Sequence, residues 1–216
     1  MPRTTQKKPY HHGDLRPALL RAVKELLAEQ GIESLSLREC ARRAGVSWSA
    51  PGHHFGDKTG MLTAFATDGY VALASLMQKR SRQQSEPRKA AAAVGNAYLE
   101  FALKEPEYFR VMFRTELLNQ TEDAYKIAKA SAFAVLDSSL RLCRQAEGLT
   151  NDSQSLERCL LAWSAVHGFA TLLLEGAIKE AGRTPKARLK RGMELGQQVL
   201  RLLGPALFSD SRKRQQ

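Results

Sequence analysis

The run SLSLRECARRAGVSWSAPGHHF, Ser34 to Phe55, constrains the fold of this chain more than any other stretch. Ser36 and Glu39 have the S-x-x-E spacing of a capping box, in which the hydroxyl serves the third amide and the carboxylate returns to the cap amide. A helix started there turns Leu37, Cys40, Ala41 and Ala44 inward and ends at Gly45. Val46 plugs the turn, and Ser47 can cap a short third helix from Trp48 to about His54. Two short helices around a tight glycine turn make a helix-turn-helix, which offers its second helix to a DNA major groove.

The flanking sequence supplies helices to support such a motif. Leu15, Leu19, Val23, Leu26 and Leu27 line one face of a predicted helix from Leu15 to about Gln30, with Asp14 as N-cap and Gly31 as stop. Asp57 caps a long helix from Lys58 to about Arg82, striped by Leu62, Phe65, Gly69, Leu73, Leu76 and Met77. The polar run QKRSRQQSEPRK reads as a linker before a helix that buries Val94, Ala97, Tyr98 and Phe101. Pro106 restarts the chain at a first-turn position, and a longer helix, Glu122 to Ala146, presents Tyr125, Ala128, Ala132, Val135, Leu136 and Leu142. After a turn at Gly148 to Asp152, Leu156, Leu160, Trp163, His167 and Leu174 form the stripe of the penultimate helix. Gly182 to Pro185 breaks it before a last helix lined by Leu189, Met193, Gly196, Leu200 and Leu203. The expected architecture is all-α with about nine helices. It comprises a disordered basic arm at 1–9, a helix-turn-helix domain at 10–57, a larger helical domain at 58–208 and a disordered tail at 209–216.

Composition narrows the partners. Of the net charge of +11, residues 1 to 60 supply +4, ten Lys and Arg against six Asp and Glu, so the excess is spread along the chain. A basic chain suits a phosphate-bearing partner. The three cysteines, Cys40, Cys143 and Cys159, are far apart and form no CxxC or Cys/His spacing, which argues against a disulfide framework or a zinc site. The polar N-terminus lacks a signal-peptide core, and the longest apolar run, Ala162 to Leu174, is too short to span a bilayer. These features read as a soluble cytoplasmic protein with no membrane partner. No GxSxG, HExxH, phosphate-cradling Gly loop or informative carboxylate pair is present, so neither an enzyme nor a cofactor is expected.

The segment AxxxLLAEQGIESLSLRECARRAGVS, followed by HHFGDKTGML, resembles the N-terminal domain of the TetR/AcrR family of bacterial transcription regulators over about fifty residues. The resemblance implies that the helix from Trp48 to His54 reads DNA. Trp48, Ser49 and His53 would specify bases, with Ala50 beside them. The helix starts at Ser36 and Asp57 favour phosphate, and Lys58 adds a charge there. Arg42 and Arg43 lie where the second helix would cross the backbone; a solvated face is the alternative for both, and for the charges from Lys79 to Arg88. Arg3, Lys7 and Lys8 can add affinity without sequence choice. Ser47 reads as cap, and His54 either approaches DNA or packs within the domain. Adjacent helical positions point about 100° apart, so His53 and His54 are no metal pair. The family places a phosphate-contacting tyrosine where this chain has Gly52, and Pro51 interrupts an already short helix.

Trp163, His167 and Gly168, after EPEYFRVMF, resemble the Trp-His-Gly signature of one group of TetR-like C-terminal domains. That implies a dimer built from the last two helices, with Gly168, Thr171, Leu172, Glu175, Leu189, Met193, Gly196, Leu200 and Leu203 at the interface. Gly168, Gly176 and Gly196 would allow close backbone approach. An apolar pocket is expected among Tyr70, Leu73, Met77, Tyr98 and Phe101, with Phe109, Met112, Phe113, Leu136, Trp163 and His167. The same side chains also suit a filled core. The leading functional expectation is a homodimeric repressor that leaves a palindromic double-stranded operator when a small hydrophobic effector binds. A ligand-independent regulator, an activator, and a helical enzyme or lipid carrier retaining the front domain remain the alternatives.

Overall fold

The computed structural model describes residues 15–149, 154–182 and 184–208. The basic arm, Asp14, part of the turn after Gly148 and the tail from 209 lie outside the described residues. Among those described there is no strand. The helices are α1 Leu15–Gln30, α2 Leu37–Ala44, α3 Ala50–Phe55, α4 Lys58–Arg82, α5 Pro87–Lys104, α6 Pro106–Met112, α7 Asp123–Ala146, α8 Ser155–Leu174 and α9 Pro185–Phe208, with 3-10 turns at Thr115–Leu117 and Lys179–Ala181. The expected linker shrinks to residues 83–86, because α4 runs on through its first half and Pro87 starts α5. α4 is long and apolar enough to cross a bilayer by length and composition, yet 61% of that stretch is buried inside the protein, as in a core helix.

Two compact units divide the chain, the first running to Phe65 and taking in Arg114–Asn119, the second comprising Ala66–Phe113 and Gln120 onward. The division therefore falls within α4, beyond the expected boundary at residue 57. In the front unit Leu19, Leu20, Val23 and Leu26 of α1 meet Cys40 and Ala41 of α2 and Met61, Leu62 and Phe65 of α4 in a small core. Each large apolar side chain so buried contributes about 1.5–3 kcal/mol. Phe55, at the end of α3, is only half-buried. The strap 114–119, which sequence periodicity does not reveal, is tied on by Thr63, whose Oγ1 accepts from the Asn119 amide at 2.8 Å and donates to the Thr59 carbonyl at 2.7 Å.

In the second unit α5 is central, packing against α6, α7, α8 and α9. Its Gly95 and Leu99 oppose α9: a Cβ on Gly95 would lie 2.9 Å from Leu200, and one on Gly196 would lie 2.3 Å from Leu99. The buried line of α8 is Cys159, Ala162, Val166, Ala170 and Leu173, with Leu174 the one member of the expected stripe that is also buried. Leu156 and Leu160 are consequently exposed, as is Leu142 of α7. Small residues bring α8 close to its neighbours and leave the larger leucines outside. Buried Arg144 and Arg158 donate to the Leu207 carbonyl at the end of α9, and Arg158 also to that of Ala206.

Candidate DNA-reading face and apolar cavity

The helix-turn-helix forms by the expected local chemistry, with two changes. The Ser36 hydroxyl accepts from the Glu39 amide at 3.2 Å, which closes the forward half of the capping box. The return half is replaced: both Glu39 oxygens accept from Arg42, at 2.9 and 2.5 Å. This pairing holds the Glu39 carboxyl below the usual carboxylate range. Gly45 adopts φ 68°, a left-handed conformation that an L side chain rarely takes, and its amide donates back to Ala41 and Arg42. The third helix is shorter than expected. It starts at Ala50, and Trp48 and Ser49 lie in the turn before it. The Ser47 carbonyl accepts from the Ala50 amide at 3.1 Å, while its hydroxyl sits 3.4 Å from that of Ser49. Pro51 thus falls in the first turn of α3, where the missing amide breaks no helical bond.

Trp48 stands 80% exposed, and Ser47, His53 and His54 are also exposed, whereas Ser49 and Ala50 are half-buried. The His54 ring lies 5.0 Å from that of Phe55. Gly52 faces open space, with nothing within 4 Å of an added Cβ. The basic residues are less available than their charges suggest. Arg43 bridges α2 to α1, donating to Glu29 at 2.8 and 2.6 Å and to Glu25 at 3.3 Å, which depresses the Glu29 carboxyl. The Lys58 ammonium donates to the Ile32 carbonyl at 3.0 Å. Asp57 caps α4 as expected, its Oδ1 accepting from the Gly60 amide at 2.8 Å. Gly60 itself escapes sequence reasoning: a Cβ there would lie 2.0 Å from the Phe55 carbonyl oxygen, so only glycine lets α3 and α4 meet so closely.

The second unit encloses a cavity of about 360 Å³, within the range of small-ligand sites. Tyr70, Leu73, Met77, Tyr98, Phe113, Leu136 and Trp163 line it, as expected. Phe101, Phe109, Met112 and His167 lie outside its lining. Phe109 and His167 instead pack their rings 5.3 Å apart, and the Met112 carbonyl accepts from the Tyr70 hydroxyl at 3.0 Å. The Tyr98 hydroxyl shares a hydrogen bond with His167 Nδ1 at 2.8 Å and accepts from Trp163 Nε1 at 3.3 Å. Burial raises the Tyr98 phenol and lowers His167, so the hydroxyl keeps its proton and the imidazole stays neutral. The wall also takes in Val94, Gly95, Ala132 and Val166, and Lys126, Lys129, Ala130 and Phe133 of α7. Those last four follow i, i+3, i+4, i+7 spacing, a single helical face. Its two lysines disguise that face as a solvent surface in the sequence.

The expected dimer residues separate into two groups. Gly168 has open space before it, and Thr171, Leu172 and Glu175 are exposed, with Glu175 3.8 Å from Arg110. Leu189 and Met193 are half-buried. Gly196 and Leu200 instead face α5 of the same protomer, and Leu203 packs on the Leu140, Cys159, Ala162 and Leu207 cluster. Gly176 ends α8 at φ 72° rather than opening a helix contact. Exposed leucines at 156, 160, 161, 172 and 202 extend the outward surface of α8 and α9.

Residues 19–65 match the family model for bacterial regulatory proteins of the tetR family, and residues 91–195 match that for the tetracyclin repressor-like C-terminal domain. A Rhodococcus sp. RHA1 protein of unknown function superposes with a TM-score of 0.70 at 28% identity, over 89% of this chain and 98% of that one. The TetR family regulator PfmR from Thermus thermophilus gives 0.63 at 18% identity, over 89% and 97%. FadR from Bacillus subtilis, solved with stearoyl-CoA, gives 0.67 at 14%, over 87% and 96%; both likenesses concern the fold.

Proposed function

The chain belongs to the TetR family of DNA-binding transcriptional regulators, and on that premise we propose that it is a homodimeric repressor released from a palindromic operator by a small apolar effector. The observation that carries the reading is Trp48, a large aromatic held in solvent at the entrance to α3 while the motif around it is packed. Such exposure suits a side chain kept for a partner. Trp48, Ser49 and His53 then meet base edges, with Ala50 close to thymine methyls. The α2 start at Ser36 and the cations Arg42 and Lys58 meet phosphates, which fix register without reading sequence. Arg43 acts as a brace.

The outward leucines of α8, with Gly168, Thr171, Leu172 and Glu175, supply the surface for a second copy, flanked by Leu189 and Met193 of α9. A dimer presents two α3 helices to half-sites about 34 Å apart. An effector that binds better to a state with another spacing shifts the population away from the DNA-bound form. Mapping bound sites across the genome, followed by titration of the recovered duplex with the wild type and Trp48→Ala, tests the reading. The expected result is a two-fold symmetric site and a loss of about 10-fold or more for the variant, at unchanged helicity. A monomer that binds random duplex as tightly at physiological salt would overturn it.

A further inference from the structure

The chemistry of the cavity wall identifies the class of molecule that fits it. The inner wall is formed by Leu73, Met77, Val94, Phe133, Leu136 and Val166, all apolar. The polar atoms that reach it already have partners. The Tyr98 hydroxyl is shared between His167 and Trp163, and the Tyr70 hydroxyl donates to the Met112 carbonyl. A ligand rich in hydroxyls or amides placed at this depth would meet little more than the remaining lone pairs of these hydroxyls, leaving most of its buried polar groups unpaired. Sugars, nucleosides and polyols are therefore excluded from the interior.

The solvent side is different in kind. Lys126, Lys129 and Ala130 of α7 line the cavity, and both lysines are exposed. The two lysines are three residues apart, so their stems share one helical face and can place both ammonium groups at one opening. Lys126 pairs with Asp123 at 2.6 Å, an exposed ion pair that exchanges readily with an incoming anion. Lys129 has no carboxylate partner among the described residues; its ammonium stands 5.8 Å from the centre of the Tyr125 ring. An apolar chamber with few spare hydrogen-bonding groups, bordered by two cations, matches a ligand with a hydrocarbon body and one anionic end. Accordingly we infer that the effector is an anionic amphiphile, its chain enclosed by α4, α5, α7 and α8 and its carboxylate or phosphate held by Lys126 and Lys129. This rests on the reading of the second unit as the effector-binding domain.

Calorimetric titration with decanoate, decyl phosphate, decanol and decyltrimethylammonium separates the terms. The expected order has both anions at least about 10-fold tighter than decanol, the increment of a charge-assisted hydrogen bond, with no binding of the cation. The ratio of decanoate to decyl phosphate tells which head group the site prefers. From octanoate to decanoate, affinity rises about 4-fold for each methylene added. The double variant Lys126→Gln/Lys129→Gln should bring decanoate down to the level of decanol without changing decanol itself. Ala130→Trp, substituted on the cavity wall beside the lysines, should block every chain while leaving the fold unaltered. Equal affinity for decanoate and decanol, or an anion preference surviving in the double variant, would overturn the inference. Operator titration of the ligand-free protein runs alongside. Intact DNA binding with no amphiphile binding rejects this ligand class and leaves the regulator standing, whereas loss of both rejects the underlying reading.

Discussion

In the front unit Arg43 crosses from α2 to Glu25 and Glu29 of α1, and the Lys58 ammonium is held by the Ile32 carbonyl. In the second unit the shared polar atom is the Tyr98 hydroxyl, held among rings and bonded to Trp163 and His167. Both arrangements consume polar groups internally, with opposite results at the surface each unit offers. The front unit fixes its frame with cations and leaves an aromatic and two histidines outside. The second fixes its frame with a neutral network and leaves an apolar hollow inside. Thus the number of charges on a unit says little about what that unit can bind. What matters is which polar groups remain after the scaffold has taken its share.

The largest expected effect tests whether the front frame is as tightly determined as its packing indicates. In Gly60→Ala the new methyl would collide with the Phe55 carbonyl, a backbone atom that cannot rotate away. Forced overpacking costs about 1–3 kcal/mol, and here it would separate α3 from α4. Loss of operator binding with the second unit still folded, followed by circular dichroism and amphiphile titration, is the expected outcome. Normal operator affinity would mean the junction is softer than it looks.

Next in size is the corresponding cut in the second unit. Tyr98→Phe deletes one oxygen and strands both Trp163 Nε1 and His167 Nδ1, at about 1–3 kcal/mol of stability. For a chain of this length that is a fall of about 2–4 °C in Tm per kcal/mol. Operator affinity of the ligand-free protein should stay unchanged at 25 °C.

Smaller effects distinguish braces from DNA ligands within the front unit. Removing a cation that neutralises one phosphate lowers the salt slope of DNA binding by about 0.9. Lys58→Gln should show that drop, because the ammonium keeps two donors beyond the one given to Ile32, and Arg43→Gln should weaken binding at an unchanged slope. Gly52 faces open space, so Gly52→Tyr fits sterically and restores the phenol expected from the family. The hydrogen bond it offers should tighten operator binding by about 2–10-fold.

The sequence reveals most where structure is local. Ser36, Gly45, Asp57 and Gly31 announce helix ends because a cap depends on residues within one turn, and the end of α1, the bounds of α2 and the start of α4 follow from them. It reveals less where a side chain's role depends on a distant partner. Arg43 looks like a phosphate ligand until Glu25 and Glu29 are beside it. Gly196 looks like a dimer contact until Leu99 is opposite. The cavity is half legible: its aromatic wall follows apolar periodicity, whereas Lys126 and Lys129 break that periodicity and are the residues that give the opening its chemistry.

The smallest effect concerns the one histidine inside the Tyr98 network. Burial lowers His167 below its ordinary value of 6.5, and the rings of Phe113, Phe109 and Trp163 surround it. The unfolded chain therefore takes up this proton more readily than the folded one. That makes stability complete above pH 6.5 and progressively lost as pH falls from there through the folded value. Paired carboxylates such as Glu29, Glu100 and Glu147 are held below 4.5 and titrate at lower pH, so they add their own loss only further down. Wild-type Tm should fall gradually as pH is lowered from 6.5. His167→Gln, whose amide oxygen can still accept from Tyr98, should stay flat over that interval. A variant with the same slope as the wild type would place the titrating group outside this network, and the second unit's frame would then owe nothing to a neutral imidazole.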